Sequence, residues 1–256
     1  MTGVARANPI SPAIVIAIVI AWAIAIVAQV SGTARLLHHD ALIEGSLPLW
    51  SALLLFVIAW QAMIVAMMLP SSLPLVRMFA SVSAGQQHPR QVMTVFLAGY
   101  AAIWTAFGAA GFLGDVGLHR FIDANPWLEA RPWLIAGSVL ILAGAFQFSG
   151  LRNACLNKCR LPGMFLMRNY ARGATAAFRL GAGHGAFCVG CCWALMLVTF
   201  GAGFANLWWM AALTAVMVYE KTGRHGTRIV PIAGIALLAL GSLVLIHPTW
   251  MAGGVF

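Results

Sequence analysis

Charge is what this chain has least of. Only six of its 256 residues are Asp or Glu and 15 are Lys or Arg, so 8% are charged against 62% hydrophobic, with a mean hydropathy of +0.91. So little polar surface cannot cover a soluble globule, which leaves an all-α polytopic membrane protein as the predicted class. A nucleic-acid-binding motif is also missing. The net charge of +9 comes from Lys and Arg set in connections between apolar runs, a pattern suited to anionic lipid headgroups and not to DNA or RNA. No ATP-binding or phosphorylation motif occurs, so any uphill transport would draw on an ion gradient or a partner. The apolar run at 10–30 exceeds the usual core of a signal peptide and lacks a convincing small-x-small cleavage site, which reads it as a retained span.

Apolar runs at about 10–30, 49–69, 91–113, 132–149, 180–203, 207–219 and 229–246 predict a bundle of about seven transmembrane helices, one domain over residues 1–256. Pro70 is expected to end the second span and, with Pro74, to force an irregular turn. With the N-terminus cytoplasmic, the inner segments carry Arg6, Arg77, Arg90, Arg152, Lys158, Arg160, Arg168, Arg172, Arg179, Lys221, Arg224 and Arg228. The outer ones carry only Arg35, Arg120 and Arg131, the asymmetry expected of cytoplasmic loops. Residues 152–179 hold six basic side chains and no acidic one, interleaved with Met164, Phe165, Leu166 and Tyr170. That composition fits a segment lying against anionic lipids at the membrane surface.

Three of the five cysteines fall within five residues of an apolar run. At helical spacing His184, Cys188 and Cys191 lie within about 60° of one another and Cys192 about 80° round from His184, so one face carries four soft or borderline ligands. Thiolate with imidazole suits Cu(I), Zn(II) or iron. The bland alternative is that cysteine serves as a small buried hydrophobe and that Gly-Cys-Cys lets two helices approach closely. Met63 and Met67, four residues apart, stack on one face as paired thioethers, which favour Cu(I), although methionine is also a common gap-filler. Cys155 and Cys159 share that spacing and form a possible accessory or docking pair on the cytoplasmic side, where thiols stay reduced. His38, His39 and Asp40 are neighbours that cannot share a helix face, so a solvated loop outweighs a site there. Gly181-x-x-x-Gly185 should bring a neighbouring backbone close to the thiols. Glu220, at the end of a short span, is expected at the interface, paired with a basic residue of 152–179 and not ligating metal.

Three segments together resemble a known bacterial family: Trp60-x-x-Met63-x-x-Ala-Met67-Met68-x-Pro70; Gln147 through Cys155 to Cys159-Arg160-x-Pro162; and Cys188-x-Gly-Cys191-Cys192-Trp193-Ala-Leu-Met196, followed by Asn206, Trp209-Met210 and Glu220-Lys221. The family is that of the predicted metal-binding integral membrane proteins, and the resemblance covers about 50–225. It implies a multi-pass protein of the bacterial cytoplasmic (inner) membrane that binds metal, with no established metal, substrate or reaction.

The leading functional expectation is a non-enzymatic protein that binds a soft transition metal, copper first and zinc second, within its helix bundle. It would transport the ion or deliver it to a metallochaperone or partner membrane subunit. The expected ligands are Cys188, Cys191, Cys192 and His184, with Met63 and Met67 as a neutral relay. The alternatives are a structural or assembly subunit of a larger membrane complex and a membrane thiol-disulfide oxidoreductase built on Cys188-x-x-Cys191. The oxidoreductase needs an exposed thiolate that meets its partner, and the predicted depth works against it.

Overall fold

Apolar sequence surrounded by lipid must satisfy its backbone internally, and helices do this within one segment. The computed structural model describes residues 12–33, 42–43, 47–201 and 206–247, and every regular element among them is helical. In chain order these are α1 (Pro12–Val30), α2 (Leu49–Ser83), α3 (Pro89–Asp123), α4 (Pro126–Glu129), α5 (Pro132–Phe146), α6 (Gly150–Arg160), α7 (Pro162–Asn169), α8 (Ala174–Gly201), α9 (Leu207–Thr222) and α10 (Gly226–Ile246). Five of them, α1, α2, α3, α8 and α10, are long and apolar enough to cross a membrane. The pair α5 and α6, bent by 64°, makes a sixth candidate, whereas α9 has only 16 residues. The count of about seven expected from the sequence thus becomes five or six by length and composition. His38, His39 and Asp40 lie outside the described residues.

Pro70 does not end the second span. α2 runs straight through Pro70 and Pro74 for 35 residues. A proline inside a helix leaves the carbonyl four residues earlier without its donor, and here that carbonyl, Ala66 O, accepts a 3.0 Å hydrogen bond from Trp22 Nε1 of α1. A partner from a neighbouring helix thereby removes much of the penalty that would have broken the helix. The extra turns carry Ser71 and Ser72 into the core. Two further connections expected as loops are largely helical: α3 continues to Asp123, and α6 and α7 occupy much of 150–169. The chain breaks at 147–149 instead, and Ser149 Oγ caps α6 by accepting from Arg152 N at 3.2 Å.

Glycine sets the closest crossings. A Cβ on Gly181 would overlap the Phe96 carbonyl oxygen, and one on Gly99 would overlap that of Phe178, so α3 and α8 touch backbone to backbone. The predicted Gly181-x-x-x-Gly185 approach is therefore present, with α3 as the neighbour. Along this contact Phe96 faces Gly181 while Tyr100 and Ile103 face Gly185, so the two helices run parallel. α5 and α10 run antiparallel, with Gly137 against Gly241 and Gly144 against Gly234.

Candidate metal centre

The thiol run sits mid-way along α8. Cys188, Cys191 and Cys192 are all buried, as the shared face predicts, and their sulfurs turn back on the helix: Cys191 Sγ and Cys192 Sγ donate to the Cys188 carbonyl oxygen at 3.1 and 2.9 Å. α6 lies across this face. Gly190 has no side chain, and the Cys155 sulfur occupies the space where a Cβ would be, 2.7 Å from that position. One turn on, Cys159 is buried in the same core cluster as Cys191. Cys155, half-buried, and Cys159, buried, thus lie against α8. The bend after α5 folds them into the same chamber as the α8 thiols, which sequence spacing alone could not show.

α2 closes another side. Cys192 Sγ lies 3.8 Å from Met68 Sδ, a soft thioether contact. Met63 and Met67 are buried in the same core, but the methionine meeting a thiol is the residue after Met67. His184 is also buried; its Nε2 lies 3.1 Å from Ser72 Oγ and its ring stacks on Tyr100 with centroids 5.6 Å apart. Ser72 Oγ donates to Tyr100 OH at 3.3 Å, and Tyr100 OH lies 3.3 Å from Cys188 Sγ. A polar chain therefore links the imidazole to the first thiol. Ser72 and Tyr100 belong to it only because α2 continues past Pro70 and because Gly181 and Gly185 bring α3 close.

Two charged groups complete the chamber. Lys221 is 6% exposed, and its Nζ donates to Cys188 Sγ at 3.0 Å and to Ser71 Oγ at 3.2 Å. Beside it Glu220 Oε2 pairs with Arg152 Nη2 at 2.6 Å, both side chains buried. Glu220 does find a basic partner from 152–179, as expected, but in the interior and not at an exposed interface. Arg160 holds this corner in place: its guanidinium donates to the Glu220 and Gly223 carbonyl oxygens, capping the end of α9. Sequence reasoning missed Lys221 as a site residue. The available signal was a Glu-Lys pair ending an apolar span only 16 residues long, too short to carry both charges clear of the bundle.

Among the described residues no three His, Cys, Asp or Glu side chains converge as a group able to hold a metal ion. The sulfur donors are neighbours around one chamber, contributed by α2, α6 and α8, and not a closed cage. Their chemistry is soft, with Lys221 as the adjoining cation.

Neither a curated protein nor a solved structure matches the chain. A family model described as PpoB2, copper chaperone, matches residues 57–244, reaching into α10 and so beyond the 50–225 covered by the resemblance read from the sequence. Its description names copper and lends zinc, the second metal expected, no support. Because the match spans well over half of the sequence, the chain belongs to the PpoB2 copper chaperone family.

Proposed function

We propose that this protein is a membrane-embedded copper carrier, which holds Cu(I) in the chamber between α2, α6 and α8 and passes it to a partner protein. The observation that carries the reading is the sulfur contact of Cys192 with Met68, beside Cys155 of α6 packed on Gly190 in the same thiol run. Cu(I) accepts two or three soft donors, so it needs no four-cornered cage of the kind a structural zinc ion takes. Two of Cys188, Cys191, Cys192 and Cys159 supply thiolates at a time, Met68 a neutral sulfur, and Met63 and Met67 a thioether relay further along α2. His184 acts as an orienting residue, held by Ser72 and Tyr100.

Charge balance favours the same reading. One Cu(I) held by two thiolates carries a single net negative charge, and an isolated charge at this depth is costly. Lys221 is the cation placed to offset it, while Arg152 and Glu220 offset each other. Burial of Cys188, Cys191 and Cys192 keeps these thiols from a protein partner's disulfide, which weighs against the oxidoreductase alternative. The lysine on a buried thiol weighs against a purely structural subunit. The bacterial cytoplasmic membrane with the N-terminus inside remains the orientation that the charge pattern supports.

Elemental analysis of the detergent-purified protein, loaded with Cu(I) under reducing conditions, tests the proposal. The wild type should retain copper through desalting, and Cys188→Ser/Cys191→Ser/Cys192→Ser should lose it, with Cys159→Ser intermediate. Equal copper content in the wild type and the triple variant, both folded, would overturn it.

A further inference from the structure

On the outer side of the α6–α8 contact, α6, α7 and α8 enclose a cleft of about 300 Å³ that has no part in the thiol chamber. Two cations line it, Lys158 from α6 and Arg168 from α7, together with the side-chain amides of Asn157 and Asn169. Its other wall is apolar, formed mainly by Phe165 and Phe187, whose rings meet edge to face at 5.8 Å. The Lys158 ammonium sits 3.9 Å from the Phe187 ring centroid, held at the cleft by a cation-π contact. Neither cation can take an anion from its own stretch of chain, because 152–179 contains no Asp or Glu.

We propose that this cleft binds one anionic phospholipid, with its phosphate between Lys158 and Arg168 and its first acyl carbons against Phe165 and Phe187. Two features select a lipid over a soluble anion. The cleft joins a cationic, amide-bearing side to an aromatic one, the two chemistries that meet where a headgroup becomes a chain. Its rim also continues into exposed apolar side chains, Leu161, Met164 and Met167, which suit a membrane interface. The volume admits a headgroup and the start of its chains, leaving the tails to lie along the protein. A lipid seated here would brace α6 and α7 against α8. Phe165, which lines the cleft, also lies 6.1 Å from the His184 ring, so the bound lipid would stiffen the wall behind the copper chamber. The site sharpens the general expectation of anionic lipid at 152–179 into particular residues, and it does not depend on the copper reading.

Native mass spectrometry of the protein in a neutral detergent, titrated with phosphatidylglycerol or phosphatidylcholine, provides the test. The wild type should retain one phosphatidylglycerol in preference to phosphatidylcholine. Removing one cation, as Lys158→Gln or Arg168→Gln, should weaken that binding roughly fivefold, and removing both should weaken it more than tenfold. Arg172→Gln/Arg179→Gln takes two charges from the same segment away from the cleft and should have little effect. Phe187→Ala removes both the aromatic wall and the ring that holds Lys158, and should loosen the lipid at least as much as Lys158→Gln. Equal losses from the cleft pair and the control pair would mean diffuse surface charge and overturn the site. Equal retention of the two lipids, or complete displacement of phosphatidylglycerol by millimolar inorganic phosphate, would overturn it as well.

Discussion

Two glycine-lined crossings hold this bundle together, and they differ in what stands beside the glycines. Where α5 meets α10, Gly137, Gly144, Gly234 and Gly241 are flanked by Leu245, Leu238, Ile141 and Phe148, and the contact is apolar except at one end, where the buried Gln147 lies against Gly234. Where α3 meets α8, Gly99, Gly181 and Gly185 are flanked by Tyr100, His184 and Cys188, and a charged lysine lies one thiol further on. The backbone geometry is similar, since in both places a Cβ would strike the other helix's carbonyl oxygen. Close approach is therefore a packing device that lipid exclusion needs anywhere in the molecule. What distinguishes the α3–α8 crossing is the set of polar and soft side chains gathered beside it.

If that contrast is right, the chamber should break harder than the apolar crossing. The largest expected effect is at Arg152. Arg152→Ala strands the buried Glu220 carboxylate and should cost about 3–5 kcal/mol, read as thermal unfolding in detergent, whereas Arg152→Met/Glu220→Met should recover most of that loss. A double variant no more stable than the single one would show that the pair is not an isolated unit.

The glycines come next. Gly181→Ala and Gly144→Ala each push a methyl group into opposing backbone and should each cost about 1–3 kcal/mol. Copper content per folded molecule should separate them, falling for Gly181→Ala and staying at the wild-type level for Gly144→Ala. Equal copper retention in the two would erase the distinction drawn between the crossings.

The smallest effect on stability is expected at the methionines, where leucine nearly preserves volume and the cost should stay below about 1.5 kcal/mol. Their difference should appear in the rate at which a Cu(I) chelator strips the loaded protein. Met68→Leu should be stripped faster than Met63→Leu/Met67→Leu, because only Met68 has its sulfur against a cysteine thiol. The reverse order would return the relay on α2 to first place.

Much of the chamber was legible because helical spacing is a local property. The stripe of His184, Cys188, Cys191 and Cys192 needs nothing beyond 3.6 residues per turn, and their burial follows from the apolar run around them. The glycine pair beside them was legible for the same reason. Pro70 misled because proline's cost is local while its remedy, the Trp22 indole on the Ala66 carbonyl, comes from 44 residues away. Cutting α2 short at Pro70 hid Ser71 and Ser72 and with them the hydrogen-bonded path to Tyr100. The pairing of Cys155 with Cys159 was legible from their spacing, but their packing against α8 was not, since no spacing rule reports a 64° bend after α5.

The sequence by itself determined the class, the approximate spans, the thiol face and the basic segment, because composition and helical periodicity act within one element. Tertiary structure alone decided which elements share the chamber, why Met68 and not Met67 touches a thiol, and that Lys221 ends on Cys188. Those outcomes depend on crossing angles and on where a backbone can come close. An apolar surface of leucine and alanine looks alike from every side, and only the few polar groups that must find partners away from water reveal which side was chosen.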